Sequence, residues 1–449
     1  MFALFLPLIM SAALMNFAQQ LVNAGIARLP APEISLAAYG VVLAVSVFLE
    51  APVITMIHAS NALVRGRQTY ALVFLFMVIL GGGLSLLHFA VAVTPLYPLV
   101  FERLMGLPPE VADLARPAFL IMTPWTLAIA WRRFFQGILV SHGDSRSVGF
   151  ATASRLLTVM LVIAGGFFMP GVVGVTVGAV ALAVSVTIEA LVTTWLAWPL
   201  RRKLNRPPGP APSGGAEAAA EAVETGGREP GHLTWPDLFR FYGPLATTML
   251  LQKATPPILV AFIARAPDPA LHLAAWPVAW GLMMLFGVAT AMLSQIVIPL
   301  VRPLAHRLKS LRFSNLTGLA LSGIMAVIAF SPAGHWYFSN LIGVKEPVLS
   351  AVTAAARALV IIPVLMAVQN ALYGVFTGLR QTWQIMAGSG INMVSAVAAA
   401  VMLVTFLPWG GTFVAAAALA AGFAVELLAL RWWYAALEHR EALTTAGKT

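Results

Sequence analysis

Cysteine is absent from the 449 residues, which excludes disulfides and thiol chemistry, and charged residues make up only 10% of the chain. No Gly-x-x-x-x-Gly-Lys-Ser/Thr run is present, so nothing in the sequence cradles ATP phosphates to power the protein. His58, His88, His142, His272 and His306 are scattered, without the close spacing that a structural or catalytic metal requires. No cofactor, metal site or catalytic constellation is therefore expected, and enzymatic activity is not anticipated. What remains is apolar: 60% of the residues are hydrophobic.

The apolar stretches are long enough to cross a hydrocarbon core, which takes about 20 helical residues. Twelve spans are expected at residues 3–27, 35–63, 70–92, 112–140, 147–168, 172–199, 237–263, 271–301, 314–332, 349–378, 383–406 and 411–434. Continuous Ala/Leu/Val/Met runs satisfy their backbone internally as α-helices, whereas a β-barrel needs short alternating segments. The expected fold class is thus all-α integral membrane. The net charge of +10 does not point to nucleic acid, because Arg65 and Arg67, Arg146, Arg201-Arg202-Lys203, Arg307-Lys309-Arg312 and Arg380 fall at alternate loops. By the positive-inside rule both termini are cytoplasmic, in a multi-pass protein of the plasma or inner membrane. The first hydrophobic stretch lacks a basic n-region and is read as a helix, not a cleaved signal.

The two halves match at an offset of 237: Pro7-Leu8 recurs as Pro244-Leu245, Ile26-Ala27-Arg28 as Ile263-Ala264-Arg265, Gly137 as Gly374, and Glu189 as Glu426. Duplicated helix bundles in membranes are typical of transporters whose lobes rock about a shared site. The expected organisation is a six-helix lobe over 1–200, a linker over 201–235, a second six-helix lobe over 236–437 and a cytoplasmic tail over 438–449. Pro207-Pro208-Gly209-Pro210, Gly214-Gly215 and Gly226-Gly227 give the linker a composition that cannot bury a core, with a short helix over Ala216–Val223 as an option.

A charged side chain at the centre of a membrane helix costs about 2.5–3.5 kcal/mol on insertion scales, so each one needs a reason. Asn16, Gln19, Gln20 and Asn23 stand at i, i+3, i+4 and i+7, putting four amides on one face of the first helix. They line a water-filled cavity or bond neighbouring helices, and four successive stripe positions favour the cavity. At the equivalent depth of the seventh helix, Pro256 and Pro257 lack the N–H groups that would bond the carbonyls of Gln252 and Lys253. An interrupted helix is expected there, beside an amide and an ammonium suited to a solute or an ion. Glu50, mid-way along the second helix, is either a proton carrier or half of an ion pair. Glu189 and Glu426 recur in both lobes, which favours a shared structural bond; Arg155, aligned with Asn392, is a partner for Glu189 or a cavity wall. Arg132 and Arg133 stand close enough to the cytoplasmic end for snorkelling, while Arg357 is expected to lie deep in the tenth helix. Lys253, Arg155 and Arg357 against Glu50 predict a cavity that prefers anions.

The paired Phe-x-x-x-x-Pro-Leu starts (Phe2 to Leu8, Phe239 to Leu245), the helix ends at Gln136-Gly137 and Tyr373-Gly374, and the stretch from Asn16 to Ala27 together resemble the multidrug/oligosaccharidyl-lipid/polysaccharide (MOP) flippase superfamily in its MATE-like form. Within it the chain is most similar to the progressive ankylosis (ANK) transporters, through Ala38-Tyr39-Gly40, Pro52, Gln252-Lys253, Arg357 with Pro363, Thr382, and Ala421-Gly422-Phe423 leading to Glu426. The resemblance covers nearly the whole chain except the linker. It implies a twelve-helix, two-lobed exporter of organic or phosphate-containing anions such as citrate, nucleotides or pyrophosphate. One departure is that Asn16 and Gln19 stand where relatives carry acids, so Glu50 is the remaining candidate for H+ or Na+ coupling. The expected partners are an anionic solute, a coupling ion and membrane lipid. Substrate contacts are expected from Asn16, Gln19, Gln20, Asn23, Arg155, Gln252, Lys253, Arg357 and Asn392. Competing readings are a MATE-type cation or drug antiporter, a flippase for a lipid-linked saccharide and, from another class, a non-transporting scaffold.

Overall fold

The computed structural model describes residues 16–204, 233–301, 304–379 and 381–446. Twelve numbered helical segments follow one another among the described residues, with short helices over 96–104 between α3 and α4 and over 332–342 between α9 and α10: α1 (16–26), α2 (Pro32–Ile54 with Met56–Leu63), α3 (Arg67–Val93), α4 (Pro109–Ile121 with Trp125–Ser141), α5 (Ser145–Phe167), α6 (Gly174–Leu204), α7 (Trp235–Ile263), α8 (Pro269–Ala291 with Leu293–Val297), α9 (Leu304–Phe330), α10 (Val348–Ala358 continuing through Ile362–Gly378), α11 (Trp383–Phe406) and α12 (Gly411–Ala446). Ten of them are long and apolar enough to cross a membrane as described; α1 is described only from residue 16, and α4 is divided by the turn at 122–124. The expected all-α, two-lobed architecture is thus present, and the chain is a multi-pass integral membrane protein. Most of the expected linker, residues 205–232 with the optional helix at Ala216–Val223, lies outside the described residues; α6 continues into its start and α12 runs through the expected tail as far as Ala446.

The repeat governs local geometry down to single residues. Ala31 and Asp268, related by the offset, both adopt left-handed backbone angles (φ 51° and 49°) immediately before the prolines that open α2 and α8. The interruption of α2 at Thr55 recurs in α8 at Met292, and the turn in α4 at 122–124 recurs in α10 at 359–361. Restarting a helix inside lipid leaves a backbone N–H without an acceptor, a state costly enough that a side chain must supply one. Ser85 of α3 accepts from the Leu127 N–H at 3.0 Å, and its copy Ser322 of α9 accepts from the Val364 N–H at 3.0 Å. Outside the spans, Asp144 caps α5. Hydrogen bonds from the Ser147 hydroxyl (2.7 Å) and N–H (3.1 Å) hold its carboxyl below the usual carboxylate range.

The lobes meet along α2 with α7 and along α2 with α8. Gly40 of α2 faces Pro277 of α8 so closely that a Cβ there would sit 3.1 Å from the proline ring, the tight small-residue crossing that drives helix association in lipid. Nearer the linker, Phe76 packs edge-on against Phe239 and Tyr242, and the Tyr242 hydroxyl donates to the Pro52 carbonyl.

Candidate functional site

The restart of α4 after Pro124 places Trp125 at the head of its second half, where the indole N–H donates to the Glu50 carboxylate of α2. Two turns further along α4, Arg132 reaches Glu189 of α6 with an Nη1 to Oε2 distance of 2.6 Å, and both side chains are almost completely buried. Arg155 of α5 stands 3.8 Å from the same oxygen with its guanidinium 5.7 Å from the Trp125 ring centre, and Thr152 donates to the other oxygen at 3.3 Å. Arg133 is half-buried, bonds Gln136 at 3.4 Å and has no partner for its Nε among the described residues. From the opposite lobe, Lys253 of α7 is near enough to attract Glu50 and to repel Arg133, with no ion pair to Glu50 among the described residues. Four cations thus gather near two carboxylates, a formal surplus of two positive charges, with Arg132 and Glu189 almost completely buried and Arg133, Arg155 and Lys253 half-buried. Such a surplus is expensive unless an anion or ordered water compensates it, and it raises the local concentration of anions.

The second lobe builds the equivalent position from neutral groups. Glu426 of α12, fully buried, accepts from Gln369 at 2.6 Å, from Asn392 at 2.9 Å and from the Tyr373 hydroxyl. Tyr373 also pairs with Ser389 at 3.0 Å, and Gln252 donates to Ser389 at 3.3 Å. Gln369, Tyr373 and Asn392 are the offset copies of Arg132, Gln136 and Arg155. One geometry therefore serves two chemistries, guanidinium in the first lobe and amide or phenol in the second.

The sequence-derived candidates do not gather in one place. Glu50, Arg155 and Lys253 come together in the basic cluster, and Gln19 reaches it indirectly, donating to the Tyr39 hydroxyl at 2.6 Å within the electrostatic range of Arg155. Gln252 and Asn392 join the Glu426 network. Gln20 and Asn23 are buried in the contact between lobes: Asn23 donates to the Pro277 carbonyl at 3.1 Å, and the Gln20 amide, with neither polar atom bonded among the described residues, is pressed against Gly281. This corrects the expectation of a single cavity-lining row; Asn16 is half-buried at the first described turn. Arg357 is also corrected. It is exposed, donates from Nε to the Ala329 carbonyl at the end of α9 at 3.1 Å and lies over the Phe330 ring. Nor is the seventh helix interrupted: α7 stays helical across Pro256 and Pro257, because proline's fixed φ is helical and only the bonds to the carbonyls of Gln252 and Lys253 are lost.

Sequence reasoning missed Arg132, Arg133, Trp125 and Tyr39 as members of the site. The signal for Arg132 was available, since the offset pairs it with Gln369 just as it pairs Arg155 with Asn392. A cavity of about 250 Å³ between α4 and α6, bounded by Ile121, Pro124, Val184 and Ile188, contains none of the charged cluster.

Residues 1–170 match the family described as progressive ankylosis protein (ANKH). Over its whole length the chain superposes on an inward-facing MATE family transporter of the MOP superfamily with a TM-score of 0.73, at 16% identity, covering 99% of this chain and 98% of that one. The chain has the MOP-superfamily fold, MATE-like in form. The resemblance read from the sequence is borne out at both levels, progressive ankylosis over the first 170 residues and MATE-like architecture throughout. The lipid II flippase MurJ, in an inward closed conformation, gives a TM-score of 0.66 at 12% identity, with 96% and 87% coverage. An outward-facing MATE family transporter gives 0.58 at 15% identity, with 99% and 96% coverage.

Proposed function

We propose that the protein is a secondary transporter that exports an organic or phosphate-containing anion by alternating access of its two lobes, with both termini in the cytoplasm. The observation that carries this reading is the surplus of two positive charges where Arg132, Arg133 and Arg155 of one lobe meet Lys253 of the other. A multivalent anion compensates that surplus and bridges the lobes, which is what a transported solute must do. The fold and the progressive ankylosis match support the same class. The fuller superposition on the inward-facing than on the outward-facing MATE form supports a site approached from the cytoplasm in this arrangement. Glu50, bonded to Trp125 and facing Lys253, is the candidate for coupling to H+ or Na+: its charge state sets whether the ammonium is free to meet the anion.

Purified protein in liposomes loaded with labelled citrate or nucleotide is expected to release label, and Lys253→Ala is expected to slow release about tenfold, equivalent to about 1.4 kcal/mol of lost interaction. Unchanged flux in that variant removes Lys253 from the mechanism. A second reading follows from Glu426, a buried carboxylate held by neutral donors with no basic partner among the described residues: a cation antiporter, which tight binding of organic cations in place of anion flux would support.

A further inference from the structure

The face of the bundle opposite the linker carries a pair of contacts that the repeat has made reciprocal. Arg28, at the end of α1, donates to the carbonyls of Asn340 (2.7 Å), Leu341 (2.8 Å) and Ile342 (2.5 Å) in the second lobe. Arg265, its copy at the end of α7, donates to the carbonyls of Arg103 (3.5 Å), Leu104 (2.5 Å) and Met105 (2.8 Å) in the first lobe. Each acceptor in one lobe is the offset partner of an acceptor in the other. Both arginines also bind their own helix, Arg28 at the Ala24 carbonyl (2.9 Å) and Arg265 at the Ala261 carbonyl (2.8 Å). A single guanidinium thus neutralises the exposed carbonyl ends of two helical segments from different lobes, where a cation is favoured by the helix dipole. Two glycines make the approach possible. Gly343 (φ 90°) and Gly106 (φ 72°) end the acceptor segments in left-handed geometry, and a Cβ would stand 2.9 Å from the Arg28 Cζ and 3.3 Å from the Arg265 Cζ.

We infer that Arg28 and Arg265 form a two-fold interlobe latch that holds this face shut, and that both must release their partner lobe's carbonyls before the lobes part here. The bonds run from side chain to main chain, so the latch reads the shape of a helix end, not a partner side chain. Asn340, Leu341, Arg103 and Leu104 are exposed while Ile342 and Met105 are buried, so water can take the place of the guanidinium at two of the three acceptors in each lobe on release. Because the two halves are equivalent, loosening either should weaken the closed state in the same direction, and loosening both should weaken it further.

The test uses the full chain in nanodiscs. With no native cysteine, Asp113→Cys and Ser350→Cys place two spin labels, one per lobe, on exposed offset-related sites near this face. Distances from electron–electron resonance are then compared in the parent, Arg28→Lys, Arg265→Lys, and the Arg28→Ala/Arg265→Ala double variant. The expected result is a longer-distance population that rises in both lysine variants and, in the double variant, an open-to-closed ratio increased by about tenfold. Lysine keeps charge and stem packing but cannot reach three carbonyls at once, so these variants report on the latch even if the double variant folds poorly. A distance distribution unchanged in both lysine variants, or unchanged in a folded double variant, overturns the latch. No substrate is needed, so this outcome is independent of whether anion flux is found.

Discussion

Arg132→Met is expected to cost about 3–5 kcal/mol of stability, because it strands the Glu189 carboxylate in a site with almost no solvent. The two groups are 2.6 Å apart and exposed by 3% and 0%. Arg155 does not take over, since its guanidinium stands 3.8 Å away and retains 15% exposure, so Arg155→Met is expected to cost less. Replacing both members of the close pair, Arg132→Met with Glu189→Met, should recover most of the loss, because the desolvation penalty is removed together with the attraction. In the second lobe Gln369→Met removes one donor from Glu426 but leaves Tyr373 and Asn392, and about 1–3 kcal/mol is expected. Unfolding in denaturant, followed by tryptophan fluorescence, orders these variants. An Arg132→Met protein as stable as its parent refutes the buried pair.

Gly137→Ala is the second substitution with a large expected effect. A Cβ on Gly137 would lie 1.8 Å from the Ser60 Oγ, 2.5 Å from the Ile57 carbonyl oxygen and 3.0 Å from the Asn61 nitrogen. The serine can rotate away; the main-chain atoms cannot, so α4 must move off the Met56–Leu63 end of α2. Overpacking of this kind costs about 1–3 kcal/mol, occasionally more, and the upper end is expected here. Ser60→Gly in the same chain should restore only part of it. The offset copy Gly374→Ala meets Val297 at 2.8 Å and the Ser294 carbonyl at 2.9 Å and is expected to be milder. Gly149→Ala and Gly390→Ala have open space around the new methyl and serve as controls, with a gain of about 0.5–1 kcal/mol from improved helix propensity. Thermal unfolding in one detergent compares all four. Equal midpoints for Gly137→Ala and Gly149→Ala would mean that the close approach does not exist.

The architecture was legible because it is written twice. Spans, lobes and the equivalence of Glu189 with Glu426 all follow from apolar run length and one constant offset, which need no knowledge of side-chain direction. Direction is where the reading failed. The spacing of Asn16, Gln19, Gln20 and Asn23 identifies a common helix face but not what lies opposite, and α8 covers the Gln20 and Asn23 end with Pro277 and Gly281. Counting residues placed Arg357 deep, yet helical side chains lean toward the N-terminus and a long stem extends further, so its guanidinium returns to the end of α9. The same flexibility suggested that Arg132 would escape to the surface, whereas Glu189 draws it inward. Prolines 256 and 257 were read as a break because a lost hydrogen bond was equated with a lost helix; the flanking turns maintain the conformation.

Three of the four clustered cations ride on the first lobe and only Lys253 on the second. Any change in the angle between the halves therefore carries one ammonium away from three guanidinium groups that keep their mutual spacing. Under the proposed function, the grip on an anion is geared to the tilt of the halves, strongest when they converge at mid-depth and weaker on either side of that posture. On that proposal a cargo leaves because its second point of support recedes, and the first lobe need not rearrange at all.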